Sequence, residues 1–192
     1  MRKHLLIICC IALLGCSKNE PILPEPVSEA AITHITNDDL DLIDGAIQLT
    51  ITKEEAIKRG VPASEYDLVA ATLVRHNKGR AQTKAMNSTL AWGMLEYPAT
   101  SLHSNSAGPL LVSPPSGSGI TLNYTMGTLG ATSHTLSYHV YGSYSVTDSV
   151  SAWSYGQGEI HFPGFEFGYM MLDYTKDGPD QGICVYDVVD GA

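Results

Sequence analysis

Between residues 119 and 152 the chain alternates apolar and polar residues with a period of two. Ile120, Leu122, Tyr124 and Met126 alternate with Thr121, Asn123 and Thr125. Leu136, Tyr138 and Val140 alternate with Thr135, Ser137 and His139, and Tyr144, Val146, Val150 and Ala152 continue the pattern. A helix cannot sort such a pattern to one side, whereas a strand does so automatically, because its successive side chains point to opposite faces. Gly-containing breaks recur about every ten residues, at Gly117/Gly119, Gly127/Gly130, Gly142, Gly156/Gly158, Gly164 and Gly178. Short strands at that spacing predict an antiparallel sandwich or barrel. The candidate strands are 89–96, 109–113, 119–126, 133–141, 143–152, 158–162, 167–174 and 182–189. The Lys176-Asp177-Gly178-Pro179 turn suggests that the last two pair as a hairpin.

The start of the chain has another texture. Arg2 and Lys3 precede a ten-residue apolar run, Leu5–Leu14, which Gly15 and Cys16 close. The run is short of the roughly 20 residues a spanning helix needs, and the layout is that of a secretory signal. Leu13-Leu14-Gly15-Cys16 resembles the lipobox of bacterial lipoproteins. That resemblance implies cleavage before Cys16, acylation of its thiol and a stable membrane anchor of two or three chains. Ser17, rather than Asp, follows the cysteine, which by the same resemblance implies the outer membrane. Ser17-Lys18-Asn19-Glu20 partly resembles the surface-export tag of Bacteroidota lipoproteins, with Asn19 where an acid is usual. Residues 16–35 then read as the lipidated cysteine and a tether, rich in proline at Pro21, Pro24 and Pro26.

Loss of residues 1–15 leaves 177 of 192 residues and takes the net charge from −9 to −11. So acidic a chain is a poor partner for nucleic acid or anionic lipid headgroups. Of four cysteines, Cys9 and Cys10 leave with the signal and Cys16 carries lipid. Cys184 alone remains, set in an apolar run, so it reads as a small core residue and not a disulfide partner.

Residues 36–88 read as a short strand and a helical pair. The acid-rich 37–45 segment fails the calcium-loop pattern, since Ile43 and Asp44 stand where a ligand and the turn glycine belong; it reads as a solvated turn. Ala46–Thr52 is rich in β-branched residues. Thr52 and Glu55 form a capping box for a helix closed by Gly60. Ser64 and the acids after it suggest a second helix with Leu68, Ala71, Thr72 and Val74 on one side, ending near 77–79. Arg75, Lys78, Arg80 and Lys84 read as a solvated helix end. The 89–192 segment is the β-rich domain, giving a mainly β chain, α+β overall.

No nucleophile elbow, phosphate loop or His-Glu-x-x-His zinc motif is present. His134 and His139 fall on opposite faces of one strand and cannot chelate one ion. Glu159 and Glu166 flank the Gly164 turn, but nothing in their spacing sets the separation glycoside hydrolysis requires. Asp173, Asp177 and Asp180 are candidates for a structural calcium ion, since hard cations take loop carboxylates; no other cofactor is implied. The aromatic residues Tyr141, Tyr144, Trp153 and Tyr155 are the candidate ligand platform, as ring faces stack on sugars. The sequence therefore suggests a non-enzymatic, lipid-anchored envelope protein that binds a glycan or a protein. A surface glycan hydrolase or accessory and an inhibitor or structural partner of an envelope complex are the alternatives. Cys16→Ala is expected to abolish lipid labelling and membrane retention, read by fractionation; a variant still processed and membrane-bound removes the anchor from this reading.

Overall fold

The computed structural model describes residues 33–82, 89–97 and 105–191. The signal segment, Cys16, most of the tether, Lys84 and His103 lie outside them. The described elements are a 3-10 turn (Asn37–Asp39), β1 (Leu40–Ile43), β2 (Ala46–Leu49), α1 (Lys53–Lys58), α2 (Ala63–Gln82), β3 (Thr89–Tyr97), β4 (Asn105–Val112), β5 (Gly119–Thr128), β6 (Ser133–Gly142), β7 (Ser145–Trp153), β8 (Tyr155–Pro163), β9 (Gly168–Lys176) and β10 (Gly182–Asp190).

Eight strands form one antiparallel sheet in the order β3-β10-β5-β8-β7-β6-β9-β4. It folds over between β7 and β8, which share the single register pair Trp153↔Tyr155 around Ser154 at φ 60°. The two four-stranded halves, β3-β10-β5-β8 and β4-β9-β6-β7, then face each other in the strand order of a jelly roll. At the opposite margin the Asn105 side-chain amide donates to the Glu96 carbonyl at 2.6 Å, tying β4 to β3.

The inner faces supply the main core. Leu95, Val112, Leu122, Leu136, Phe162, Leu172 and Tyr186 meet there, all essentially buried. A fully buried side chain of this size contributes about 1.5–3 kcal/mol. β6 shows the expected alternation without a break from Ser133 to Val140, odd positions half-exposed and even positions buried. β10 differs, because all nine of its residues are buried. Cys184, Tyr186 and Val188 enter the main core, and burial pushes the Cys184 thiol far up, so it is an unreactive core residue. Ile183 and Val185 enter a second core on the outer side, with Val69, Leu73, Ile35, Ile47 and Met94.

That second core lies under α2. The helix buries Glu65, Val69, Thr72, Leu73 and His76, while Val74 is 68 % exposed. Of the expected side Leu68, Ala71, Thr72 and Val74, Thr72 is buried and Leu68 packs on the second core, whereas Ala71 and Val74 are exposed; the buried stripe runs instead through Glu65, Val69, Thr72, Leu73 and His76. Nor does the helix stop near residue 79. A Cβ on Gly79 would come within 1.6 Å of the Gln157 amide nitrogen, so this glycine permits close approach to β8 and does not end the helix. Ser64 lies within α2, which begins directly after Pro62. The Thr52–Glu55 capping box on α1 is formed in both directions.

Two further expectations change. Residues 37–45 are no solvated turn: Leu40–Ile43 pairs with Ala46–Leu49 across Asp44-Gly45, both at positive φ, the backbone of a tight hairpin turn. Asp39 is buried and accepts two hydrogen bonds from Arg59, at 2.5 and 3.1 Å, which hold its carboxyl below the usual range. The 167–174 and 182–189 strands also do not pair. β9 lies between β4 and β6, and β10 between β3 and β5. A strand buried on both faces needs a neighbour on each side and a cover, which a terminal hairpin would not give β10.

His134 is 1 % exposed; its Nδ1 meets the Tyr174 hydroxyl at 2.9 Å and its Nε2 is buried without a partner. Burial lowers its pKa to about 4. The unfolded chain takes up this proton near pH 6.5 and the folded chain only near pH 4, so His134 lowers stability as pH falls through that window. Acid unfolding measured between pH 7 and 4 should therefore be shallower in His134→Gln than in the parent.

Candidate functional site

The C-terminal half of α2 and the outer face of β5 and β8 enclose a polar groove of about 320 Å³. His76, Arg80, Asn123, Tyr124, Gln157 and Glu159 line it. It continues past Gly79 into a second recess lined by Arg75, Lys78, Tyr155 and Gln157. Strand alternation explains the lining. Tyr155, Gln157, Glu159 and His161 occupy every second position of β8 and are exposed, while Phe162 of the opposite parity is in the core.

The floor is an ion-pair network. Asp187 on β10 has no exposed surface. Its Oδ1 accepts from His76 Nε2 at 2.8 Å, and its Oδ2 meets Arg80 Nε at 3.1 Å and accepts from Asn123 at 3.3 Å. His76 Nδ1 meets the Thr125 hydroxyl at 3.2 Å. An Asp–His–hydroxyl sequence invites a catalytic reading, but Thr125 and Asp187 have no exposed surface and His76 is 2 % exposed. The network instead fastens the helix to the sheet and holds the Arg80 guanidinium at the groove. Arg80 was expected as a solvated charge; it is half-buried because a buried carboxylate requires a partner.

The groove rim holds the aromatic end. The Arg75 guanidinium carbon lies 4.5 Å from the centre of the Tyr155 ring, within cation–π range. The Tyr155 hydroxyl donates to Gln157, whose amide nitrogen donates to the Arg75 carbonyl at 3.4 Å. Trp153, the register partner of Tyr155, is 66 % exposed at the fold-over. Further along β8, the His161 ring meets the Thr121 hydroxyl at 2.9 Å and the Glu159 carboxylate at 3.6 Å.

The four aromatic candidates therefore do not form one platform. Trp153 and Tyr155 are adjacent, but Tyr141 pairs with Ser145 at the far end of β7. Eight residue steps along β7 separate Ser145 from Trp153, about 26 Å. Tyr141 belongs to another exposed group on the outer face of β4-β9-β6, where Leu111, Tyr169 and Tyr141 are successive register partners, with Phe167 edge-on to Tyr169 and His139 stacked on Tyr141. Tyr144 packs edge-on against Phe165 at 5.9 Å and is half-buried, so it is a core residue.

The three aspartates proposed for calcium are also apart in their surroundings. Asp173 accepts from Ser106 on the outer face, Asp177 is exposed in the turn, and Asp180 lies against Gly130. Among the described residues, three groups able to ligate a metal lie together instead at His34, Glu65 and Glu96, whose donor atoms are within 4.8 Å of one another. His34 Nδ1 is 2.9 Å from Glu65 Oε2 and 3.2 Å from Glu96 Oε1. Burial, then the nearby Glu65 charge, pushes the Glu96 carboxyl up to about 7, against the opposing pull of His34 and Gln181.

No family model matches the chain, and no curated protein matches it. Among solved structures, one titled "Family 16 Carbohydrate Binding Module-2" is similar over 51 % of this chain and 75 % of its own, with 12 % identity and a TM-score of 0.31. A likeness that slight assigns neither fold nor ligand.

Asp187→Ala leaves His76 and Arg80 without their buried counter-charge. Breaking such a pair costs about 3–5 kcal/mol. The expected result is a correspondingly lower urea midpoint for Asp187→Ala; a loss below 1 kcal/mol means that α2 is held by the second core alone.

Proposed function

We propose that this chain is a lipid-anchored envelope protein of the outer membrane that binds a glycan in the groove between α2 and β8. The observation that carries the reading is the meeting, in one groove, of the half-exposed Tyr155 ring with planar polar side chains. Tyr155 stands at one end, with Trp153 as its register neighbour outside the lining, and Gln157, Glu159, Asn123 and Arg80 line the rest. A sugar presents apolar C–H faces and hydroxyls that both donate and accept. Rings match the first; amide, carboxylate and guanidinium groups match the second.

Binding without hydrolysis is favoured by the state of the carboxylates. Asp187 is enclosed by His76, Arg80 and Asn123, which leaves Glu159 as the accessible acid among the described groove residues. Hydrolysis of a glycoside by the usual route takes two acids flanking the bond. The anchor part of the proposal rests on the Leu13–Cys16 resemblance. It gives the tether between membrane and folded domain a purpose, which is to hold the groove clear of the surface.

The test is a glycan array followed by titration calorimetry on the full-length protein in detergent. Tyr155→Ala and Gln157→Ala should each weaken the best glycan about tenfold or more, equivalent to ~1.4 kcal/mol, while Tyr141→Ala should leave it unchanged. A blank array, or a loss confined to Tyr141→Ala, removes the groove from consideration.

A further inference from the structure

We propose that His34, Glu65 and Glu96 form a binding site for a zinc-class divalent cation, which clips the start of the folded domain to α2 and β3. The three residues come from separate segments: the extended chain before the 3-10 turn, the first turn of α2 and the end of β3. Their side chains are 33 %, 1 % and 12 % exposed respectively. Two carboxylates thus lie at a largely dry point with one imidazole between them. Neutral, that imidazole leaves two negative charges together; protonated, it cancels one. Buried like charges this close require a cation or a shared proton.

The distances fit a cation as well as a shared proton, and the donor set points to the cation. A tetrahedral ion with ligands at about 2.0–2.1 Å separates its donor atoms by about 3.3 Å. The observed separations from His34 Nδ1, 2.9 and 3.2 Å, need only a few tenths of an ångström of outward movement. The ion binds the Nδ1 lone pair of the neutral imidazole, whose hydrogen then sits on Nε2; any proton held on the ring as imidazolium or shared with the carboxylates leaves to solvent. One nitrogen and two carboxylate oxygens suit zinc better than calcium, which takes six to eight oxygens. The outer contacts are those of an oriented site. The Ile35 backbone N–H donates to Glu65 Oε1 at 2.8 Å, which fixes that carboxylate with Oε2 toward His34. The Gln181 amide donates to Glu96 Oε1 at 2.9 Å. Such contacts orient metal ligands and raise affinity.

The inference is independent of the groove reading. Full-length protein, stripped with chelator and dialysed, is titrated with ZnCl₂ by calorimetry, and in parallel with CaCl₂. One zinc per chain is expected, with a rise in the thermal midpoint on binding. Glu96→Gln and His34→Gln, each confirmed as folded by circular dichroism, should weaken zinc at least tenfold, whereas Asp173→Asn and Tyr155→Ala should not alter it. Absence of stoichiometric zinc, tighter binding of calcium than of zinc, or unchanged affinity in folded Glu96→Gln overturns the assignment and leaves the cluster as a proton-sharing trio.

Discussion

A single carboxylate with no exposed surface lies at the centre of this molecule's organisation. Asp187 is in the middle of the strand enclosed on both sides, and it faces the helix, not the main core. A buried charge is costly alone and tolerable when surrounded by donors. His76 and Arg80 supply them from α2, and Asn123 from β5. The requirement is mutual. The helix docks in one rotational setting because only that setting brings residues 76 and 80 over Asp187. The same setting lays Val69 and Leu73 on Ile183 and Val185, and turns Arg75 toward Tyr155. Helix position, second core and groove wall thus share one origin.

The central role of β10 explains which parts of the fold the sequence discloses. Strands with one dry and one wet face write themselves as alternation, and β6 is legible almost to the residue. A doubly covered strand has no wet face and reads as an apolar run, so its location is visible but its neighbours are not. The pairing of the last two strands was suggested by the turn between them, and the turn instead carries the chain from one sheet half to the other. α2 was misphased for a related reason. Its inward stripe holds Glu65, His76 and Arg80, whose polarity disguises burial until their partners are known.

The sites follow the same logic. Trp153 and Tyr155 are near in sequence and remain near in space, because the fold-over at Ser154 keeps them side by side. Tyr141 and Tyr144 are equally near in sequence but are sent to different surroundings by parity and strand length. His34, Glu65 and Glu96 lie about thirty residues apart on three kinds of element, and no spacing rule connects them. Gly79 gave the one faint sequence sign of the groove. A glycine inside a helix costs about 1 kcal/mol relative to alanine, and here it allows the Gln157 side chain to lie against the helix backbone.

Two asparagines show how the outer strands are finished. The Asn37 side chain accepts from the Met94 backbone N–H at 2.6 Å and donates to the Met94 carbonyl at 3.1 Å, on the side of β3 away from β10. Asn77 makes the same pair of bonds with Ile47 of β2, at 3.0 and 2.8 Å. Each amide imitates one residue of a neighbouring strand and fills a place where another chain could add itself. Such plugs bear on association between copies more than on folding. They occupy the positions at which edge-to-edge polymerisation would begin, so two side chains keep copies of a β-rich domain separate at high concentration.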